Sequence, residues 1–121
     1  MNERPEIPED ITPAGYFDRF LKDRVNNSTV PKTSNLNTII QFEITDIENG
    51  VWNVVIENGL VKEVTKELQE DTTCVFILGS ATFLSILRRK MTLQQAFFKG
   101  KMEIKGDVLS ALKLNVLVNY L

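Results

Sequence analysis

Histidine is absent from this chain, and cysteine occurs once among its 121 residues, at Cys74. Without histidine, neither a Ser-His-Asp triad nor a Cys-His nucleophile pair can form. One thiolate and no imidazole also leave too few ligands for the common zinc sites. A site built from carboxylates or lysine alone stays open in principle, but no pair of acidic residues on a recognisable scaffold suggests one. We therefore expect no catalytic residue, no metal and no cofactor, that is, a protein that is not an enzyme.

Long apolar runs are also missing. The longest are short stretches such as residues 75–78, whereas a membrane-spanning helix needs roughly 20 apolar residues. The N-terminal sequence MNERPEIPED is too charged for a signal peptide. We therefore expect a cytoplasmic protein. A reducing compartment agrees with the single Cys74, which cannot form an internal disulfide and is expected to be a small buried residue rather than a reactive thiol.

The composition is that of an ordinary globular domain. Hydrophobic residues make up 43% of the chain and charged residues 25%, with a formal net charge of −2. A chain of this length forms one domain around a single core. We expect residues 1–11 to be a polar, loosely held lead and residues 12–121 to be the domain.

Hydrophobic periodicity and capping residues predict the secondary structure. Thr12 and Pro13 form an N-cap and first-turn pair that starts the first helix, and Asn58-Gly59 is a strong hairpin signal. Thr92 and Asp107 are the predicted N-caps of two later helices. The predicted helices cover residues 13–25, 80–90, 92–100 and 107–120, and the predicted strands cover residues 39–47, 51–57, 60–66, 72–78 and 101–105.

These elements predict an α+β fold, in which a five-stranded, mostly antiparallel sheet is covered on one face by helices. In such a domain the helices either interdigitate with the sheet in a solid core or stand off and leave an apolar tunnel. Both arrangements need the same apolar residues. Periodicity therefore leaves the two open.

Residues 93–114, LQQAFFKGKMEIKGDVLSALKL, combine a helix, a glycine, a short alternating strand, a second glycine and another helix. In the strand, Met102 and Ile104 face one way, and Glu103 faces the other with its neighbouring lysines. This segment resembles the end of the sterol carrier protein 2 family. The residues that carry the resemblance are Ala96, Phe97, Gly100, Lys101, Ile104, Gly106, Asp107, Ala111, Lys113 and Leu114.

The resemblance implies a non-catalytic lipid carrier, which takes up a fatty acyl, isoprenoid or sterol-like molecule in an apolar tunnel between the sheet and the helices. It also implies that the apolar side chains on the facing surfaces bind the lipid. For any one of them, a plain core position is the alternative. The candidates are Trp52, Val54, Ile56, Phe76, Leu78, Phe83, Leu84, Leu87, Met91, Phe97, Leu112, Val116 and Leu117.

Positive charge is concentrated in one part of the chain. Between residues 86 and 106 there are six positive side chains and one negative one, a local net charge of +5 in a chain of −2. A carrier has to meet a membrane, so Arg88, Arg89 and Lys90 are candidates for transient docking on anionic headgroups. Alternatively, they complement the negative end of their helix. We expect no nucleic-acid partner, because no aromatic residues interleave with the basic ones in a stacking pattern.

Two features depart from the family pattern. Arg89-Lys90 stands where family members usually have Gly and then Lys, which predicts a differently shaped tunnel mouth. The sequence also ends at Leu121, close behind the motif, and not in a peroxisomal Ser-Lys-Leu signal. From the C-terminal feature we expect a free-standing, prokaryotic-type member. The alternative to a carrier is an accessory or dimerisation module with a filled core, which assists lipophilic-cofactor or lipid metabolism as a homodimer or with a protein partner.

Overall fold

The computed structural model of the protein describes residues 9–21, 37–58, 60–66, 72 and 74–113. In it, the N-terminal helix begins after Thr12. As predicted, Thr12 Oγ1 accepts a hydrogen bond from the backbone N–H of Gly15 at 3.0 Å, and a proline occupies the first turn. The α-helical turn α1 (Pro13–Gly15) continues directly into a π-helical segment, Tyr16–Phe20. The two together are called the N-terminal helix here. Its predicted end at residue 25 lies outside the described residues.

The strands form one sheet in the order β3-β2-β1-β4-β5. The pairs β1·β2, β2·β3 and β4·β5 are antiparallel, and the pair β1·β4 is parallel. The predicted five-stranded, mostly antiparallel α+β architecture is therefore confirmed. The strands are β1 (Thr38–Ile44), β2 (Val51–Glu57), β3 (Leu60–Thr65), β4 (Cys74–Leu78) and β5 (Met102–Gly106).

The turn between β1 and β2 starts earlier than strand alternation predicts. The alternation runs to Ile47, but β1 ends at Ile44. The backbone N–H of Ile44 donates to the carbonyl oxygen of Gly50 at 2.6 Å, and the N–H of Gly50 donates to that of Ile47 at 3.1 Å. These bonds turn the chain over residues 45–50. Ile47 consequently packs against the core from the turn and not from the strand.

The hairpin between β2 and β3 follows the Asn58-Gly59 signal. Asn58 has a φ of 53°, the left-handed conformation that a type I′ turn requires at this position. The pairing register shifts between Val55 and Ile56, as at a β-bulge. Because of this shift, Val61 and Val64 both face the core although they are three residues apart.

Capping side chains set where two helices begin. Gly79 has no side chain to cap the helix that follows it. Asp46, from the β1–β2 turn, accepts hydrogen bonds from Ser80 N at 2.9 Å and Ser80 Oγ at 2.7 Å instead. Thr92 caps the next helix as predicted, in a capping box with Gln95. The three helices in the second half of the chain are α2 (Ser80–Leu87), α3 (Leu93–Phe98) and α4 (Val108–Lys113), the last following the predicted N-cap Asp107.

Helix α2 ends in a Schellman motif. The backbone N–H of Arg89 donates to Ile86 O at 3.1 Å, and the N–H of Lys90 donates to Ser85 O at 2.9 Å. Arg89 has a φ of 60°, in the left-handed region. The prediction that this helix extends to Lys90 is therefore wrong, since the left-handed residue ends it at Leu87.

Helix α3 ends in the same motif. The N–H of Gly100 donates to Phe97 O at 3.1 Å, and the N–H of Lys101 donates to Ala96 O at 2.9 Å. Gly100 has a φ of 72° and is the residue type that this position favours. The two helices thus share one kind of ending, with a glycine at the left-handed position of α3 and an arginine at that of α2.

The helices pack on one face of the sheet, where alternate strand residues are buried. Cys74 is buried there, as predicted. Within the described ranges, no helix has the length and apolar character needed to cross a bilayer. The buried strand residues of this face include Ile40, Phe42, Ile44, Trp52, Val54, Ile56, Cys74, Phe76, Leu78 and Met102, and the helices contribute Tyr16, Phe17, Leu21, Phe83, Ile86, Leu87, Leu93, Ala96 and Ala111.

Candidate functional site

An apolar cavity of about 20 Å³ lies between the sheet and the helices. This is room for about one water molecule, but an apolar wall offers a water too few hydrogen-bond partners to hold it. The cavity is lined by Tyr16, Phe17, Leu21, Phe42, Val54, Phe76, Leu78, Phe83, Ile86, Leu87, Leu93 and Met102.

The sheet supplies one wall of the cavity. Phe42 of β1 and Phe76 of β4 are register partners in the parallel pair, and their ring centroids are 5.5 Å apart. Val54 and Leu78 complete this wall. Strand alternation sends all of them to the helix-covered face. The wall therefore follows directly from the period of two in β1, β2 and β4.

Helices α2 and α3 supply the opposite wall. Phe83, Ile86 and Leu87 follow the spacing that places residues on one face of a helix, and all are buried. Leu93 opens α3 and is 1% exposed. Met102 reaches the cavity from β5, the strand that follows α3. The flexible, unbranched side chain of methionine fills irregular gaps between packed elements.

The N-terminal helix closes the cavity with Tyr16, Phe17 and Leu21. The N–H of Leu21 donates to Tyr16 O at 2.7 Å, the i to i+5 bond of a π-helix. An α-helix would turn these two residues well away from each other, since it advances by 3.6 residues per turn. The wider π-helical turn brings both to the cavity. Phe17 also stacks on Phe83, with ring centroids 5.2 Å apart.

Trp52 joins the N-terminal helix to the sheet. Its indole N–H donates to Asp18 Oδ1 at 3.0 Å, and its ring stacks on Phe17. Lys66 Nζ lies 4.2 Å from the centroid of the ring, a cation–π distance, and donates to Asn49 O at 2.6 Å. The helix that closes the cavity is thus held by an aromatic stack and one charge-assisted hydrogen bond.

The predicted lipid-binding residues fall into three groups. Five of them line the cavity, and these are Val54, Phe76, Leu78, Phe83 and Leu87. Trp52 and Ile56 are buried in the core but do not line the cavity. Leu84, Met91 and Phe97 are half-buried against the core and do not line the cavity either. The side chain of Leu112 and residues 116 and 117 lie outside the described part of the chain, so Leu112, Val116 and Leu117 stay predictions.

Seven lining residues were missed by the sequence analysis. The helical spacing of Tyr16, Phe17 and Leu21 predicts that they face the core, so periodicity does carry this signal. It does not show which core residues adjoin unfilled space, because that depends on packing between distant segments. The missed residues are Tyr16, Phe17, Leu21, Phe42, Ile86, Leu93 and Met102.

The predicted membrane-docking residues differ in their surroundings. Arg88 is half-buried, and its guanidinium donates to the carbonyl oxygen of Glu9 at 2.7 Å. This bond ties the end of α2 to the segment before the N-terminal helix. Arg89 and Lys90 are exposed. A docking role for the three residues stays a prediction.

Two titratable groups have displaced pKa values. Desolvation on burial, with a smaller contribution from the charge of Asp107, raises the pKa of the Cys74 thiol from 9.0 to about 11. The thiol is therefore protonated near neutral pH and is a poor nucleophile. The hydrogen bonds from Ser80 lower the pKa of the Asp46 carboxyl below 3.8. Among the described residues, no group of three or more His, Cys, Asp or Glu side chains could hold a metal ion.

Sequence comparison matches one protein family. The model of the SCP-2 sterol transfer family covers residues 17–119. Hydroxysteroid dehydrogenase-like protein 2 of Xenopus tropicalis is 30% identical over 106 residues, which is 88% of this chain and 25% of that protein. Human sterol carrier protein 2 is 32% identical over 79 residues, which is 63% of this chain and 14% of that protein. The chain thus spans about a quarter or less of the length of these relatives.

Comparison of folds agrees with the sequence match. A UbiJ-SCP2 ubiquinone synthesis protein superposes with a TM-score of 0.63 at 21% identity, covering 94% of each chain. The palmitated SCP2L2 of Aedes aegypti superposes with a TM-score of 0.63 at 21% identity, covering 86% of this chain and 92% of that one. At this identity the neighbours show a shared fold.

Proposed function

The chain belongs to the SCP-2 sterol transfer family, and we propose that it is a non-catalytic lipid-binding protein that takes up the hydrocarbon part of a fatty acyl, isoprenoid or sterol-like molecule between its helices and its sheet. The observation that carries the proposal is the apolar cavity between the two layers. The palmitated state of an SCP2-like neighbour of the same fold supports a fatty acyl ligand.

Lipid uptake requires the cavity to expand. A space of about 20 Å³ is far too small for a lipid tail, so the helices must move away from the sheet. Burial of a chain of fifteen methylene groups is worth on the order of 12 kcal/mol. That gain is offset by the aromatic contacts that the lipid displaces, such as the stacks of Phe17 on Phe83 and on Trp52. The opened space between the layers is the tunnel of this proposal.

The N-terminal helix is the element best placed to move. It carries Tyr16, Phe17 and Leu21 of the cavity wall, whereas the sheet strands are held by continuous backbone pairing. Its described attachments include the stack of Phe17 on Trp52, the bond of Asp18 to the indole N–H, and the bond of Arg88 to Glu9 O. Displacing it exposes the cavity without breaking the sheet.

A second function is an accessory or dimerisation module with a filled core. The small size of the cavity favours it, because little space is left unfilled among the side chains that line the cavity. A UbiJ-SCP2 ubiquinone synthesis protein shares the fold over nearly the whole length of both chains, which supports a role in lipophilic-cofactor metabolism. In this case the chain would act through a protein partner or a second copy.

The deciding experiment is native mass spectrometry of the purified protein, followed by solvent extraction and identification of any bound molecule. A lipid at near-stoichiometric occupancy would support the carrier and define the class of its ligand. If the protein is apo, it is titrated with a fluorescent fatty acid and with isoprenoid and sterol competitors. An apo protein that takes up none of them would contradict the carrier and favour the accessory module.

Two variants in α2 test whether the cavity is the site. Leu87 lines the cavity, whereas Leu84, one turn earlier, is half-buried and does not. We expect Leu87→Phe to fill the space and weaken fatty acid binding at least tenfold. Leu84→Phe makes the same change in volume but adds no atoms to the cavity. We therefore expect it to change fatty acid binding by no more than about twofold. Equal binding by the two folded variants would place the lipid elsewhere.

A further inference from the structure

The turns that end α2 and α3 expose basic side chains and one aromatic ring. We propose that these residues form a docking surface for an anionic lipid bilayer. The inference goes beyond lipid binding in the cavity, since the contact needs no bound lipid. The α2–α3 docking surface consists of Arg89, Lys90, Phe98, Lys99 and Lys101, all of them exposed.

Phe98 is the large apolar side chain that lies next to the basic residues of this surface. It is 76% exposed, although it follows half-buried Phe97 and the two rings meet edge to face with centroids 5.5 Å apart. It lies in the last turn of α3, with Lys99 next to it and Lys101 after Gly100. A large aromatic side chain flanked by lysines suits the boundary between headgroups and acyl chains, where the ring is buried and the ammonium groups meet phosphate.

The charge distribution favours an anionic partner. Between residues 86 and 106 the local net charge is +5, and the whole chain carries −2. The rest of the chain is therefore acidic, so the field of an anionic bilayer would attract this surface and repel the remainder of the molecule. Helix C-termini attract positive side chains by themselves, but that effect does not account for an exposed phenylalanine.

The backbone at Arg89 supplies a separate argument. Its φ of 60° is in the left-handed region, which costs a non-glycine residue about 1 to 2 kcal/mol. The equivalent position of α3 is Gly100, with a φ of 72°. A side chain kept at an unfavourable backbone position is a reason to look for a function. Arg89 is exposed, and the docking surface gives its positive charge a role that a glycine at this position could not supply.

Part of the docking surface lies between two cavity-lining residues in the sequence. Leu93, at the start of α3, and Met102, at the start of β5, both line the cavity. Phe98 lies between them in the sequence, at the C-terminal end of α3, which is only about 9 Å long. Phe98, Lys99 and Lys101 thus belong to the segment that connects two residues of the cavity wall.

A bilayer fits this surface better than a second copy of the chain or a nucleic acid. Two copies that met through the same surface would bring like charges together. Nucleic acid binding through stacked bases needs a series of aromatic side chains along a basic groove, and Phe98 is a large apolar side chain at a tip. Analytical ultracentrifugation detects a second copy of the chain, and a binding assay with single-stranded DNA detects a nucleic-acid partner.

The test is co-sedimentation of the full chain with vesicles of phosphatidylcholine and phosphatidylserine, and with vesicles of phosphatidylcholine alone. We expect binding to the anionic vesicles that weakens as salt is added. Phe98→Ser should reduce the partition coefficient about tenfold, from the lost burial of the ring. Lys99→Gln and Lys101→Gln should each reduce it about fivefold, the equivalent of ~1 kcal/mol per basic residue near the surface.

Matched controls lie elsewhere on the molecule. Leu109 is 73% exposed and outside the docking surface, so Leu109→Ser tests whether any exposed apolar residue matters. Lys62 is exposed on β3, at the opposite edge of the sheet from β5, so Lys62→Gln tests for a general effect of charge. Both should bind vesicles as the unchanged chain does. Because all these side chains are exposed, each variant is expected to fold, which circular dichroism checks.

The proposal is overturned if the chain does not bind anionic vesicles, or if Leu109→Ser and Phe98→Ser lose binding equally. It is also overturned if Phe98→Ser instead disrupts a dimer seen by analytical ultracentrifugation, or if the surface binds single-stranded DNA and not vesicles. Leu87→Phe separates this proposal from the cavity. That variant should lose fatty acid and still sediment with anionic vesicles.

Discussion

The ring of Phe17 lies nearly parallel to the indole ring of Trp52, with centroids 4.9 Å apart and planes inclined by 14°. Phe17 belongs to the N-terminal helix and Trp52 to β2, so this stack joins the element that closes the cavity to the sheet. Because Trp52 is the only tryptophan of the chain, its fluorescence reports on the contact directly. The state of the N-terminal helix can therefore be followed without a label.

Asp18 strengthens this contact through its hydrogen bond to the indole N–H of Trp52. We predict that Asp18→Ala lowers the free energy of unfolding by about 1 kcal/mol, as expected for one hydrogen bond to a charged group on an exposed residue. Urea denaturation followed by Trp52 fluorescence measures the change. Asp18→Asn keeps a side-chain oxygen that can accept the bond and should lose less than half as much. Equal losses in the two variants would show that the bond itself does not stabilise the helix.

Gly50 has no room for a side chain. A Cβ atom there would lie 2.6 Å from Ile44 O and 3.0 Å from Ile47 O, and both oxygens accept hydrogen bonds in the same turn. We predict that Gly50→Ala destabilises the protein by about 2 to 3 kcal/mol, since backbone must shift to relieve the overlap. The control is Gly79→Ala, whose Cβ would meet Thr45 Oγ1 at an ordinary 3.8 Å. Thermal unfolding of the pair compares them, and similar melting temperatures would contradict the prediction.

The elements that the sequence predicts well are those encoded by neighbouring residues. The turn at Asn58 and the capping box begun by Thr92 need only residues a few positions apart. Contacts between distant segments escape such reasoning. Asp46 caps α2 from 34 residues away, and the parallel pairing of β1 with β4 has no local signature.

The candidate site shows the same limit. Periodicity places Val54 and Phe83 on core-facing surfaces, and both line the cavity. It treats Leu84 and Leu87 alike, although only Leu87 reaches the cavity. The difference depends on how α2 is rotated against the sheet and the N-terminal helix. That rotation is set by packing, which the spacing of apolar residues along one helix does not specify.

Arg89 and Gly100 occupy equivalent positions in the endings of α2 and α3. We predict that Arg89→Gly raises the free energy of unfolding by about 0.5 to 1 kcal/mol, because glycine adopts the left-handed conformation without the steric cost. Arg88→Gly is the control. Its φ is −85°, so glycine should bring no gain there and should cost the hydrogen bond to Glu9 O. Urea denaturation measures both, and a destabilised Arg89→Gly would show that other contacts of the arginine outweigh its backbone.

The same substitution separates stability from the proposed docking. If Arg89 is kept for its charge, Arg89→Gly should be the more stable protein and yet bind anionic vesicles several-fold less tightly, the effect expected for one basic residue at the surface. Unchanged vesicle binding in this variant would remove Arg89 from the docking surface. The contribution of Phe98 would still be tested separately by Phe98→Ser.

Cys74 makes stability depend on alkaline pH. Burial, and then the charge of Asp107, raise the pKa of its thiol to about 11 in the folded chain, from 9.0. Between these values the unfolded chain loses the thiol proton while the folded chain keeps it, so the folded state binds more protons and stability falls as pH rises. The stability that the protonated, buried thiol contributes is complete below the unfolded pKa of 9.0 and is lost as the pH rises towards the folded pKa of about 11. After allowance for solvent screening, we predict a loss of about 1 to 2 kcal/mol across this range.

Comparison with Cys74→Ala isolates this effect from the lysines and tyrosines that titrate in the same range. Removing the sulfur leaves a small void whose cost does not depend on pH, and only the cysteine chain carries the thiol-dependent slope. Urea denaturation at pH values of about 8 and about 10.5, on either side of the ordinary thiol pKa, should therefore show a smaller difference between the two proteins at the higher pH. A difference that stays constant would mean that the folded chain lets the thiol ionise as readily as the unfolded one. The helix layer would then open over β4 far more often than its packing suggests.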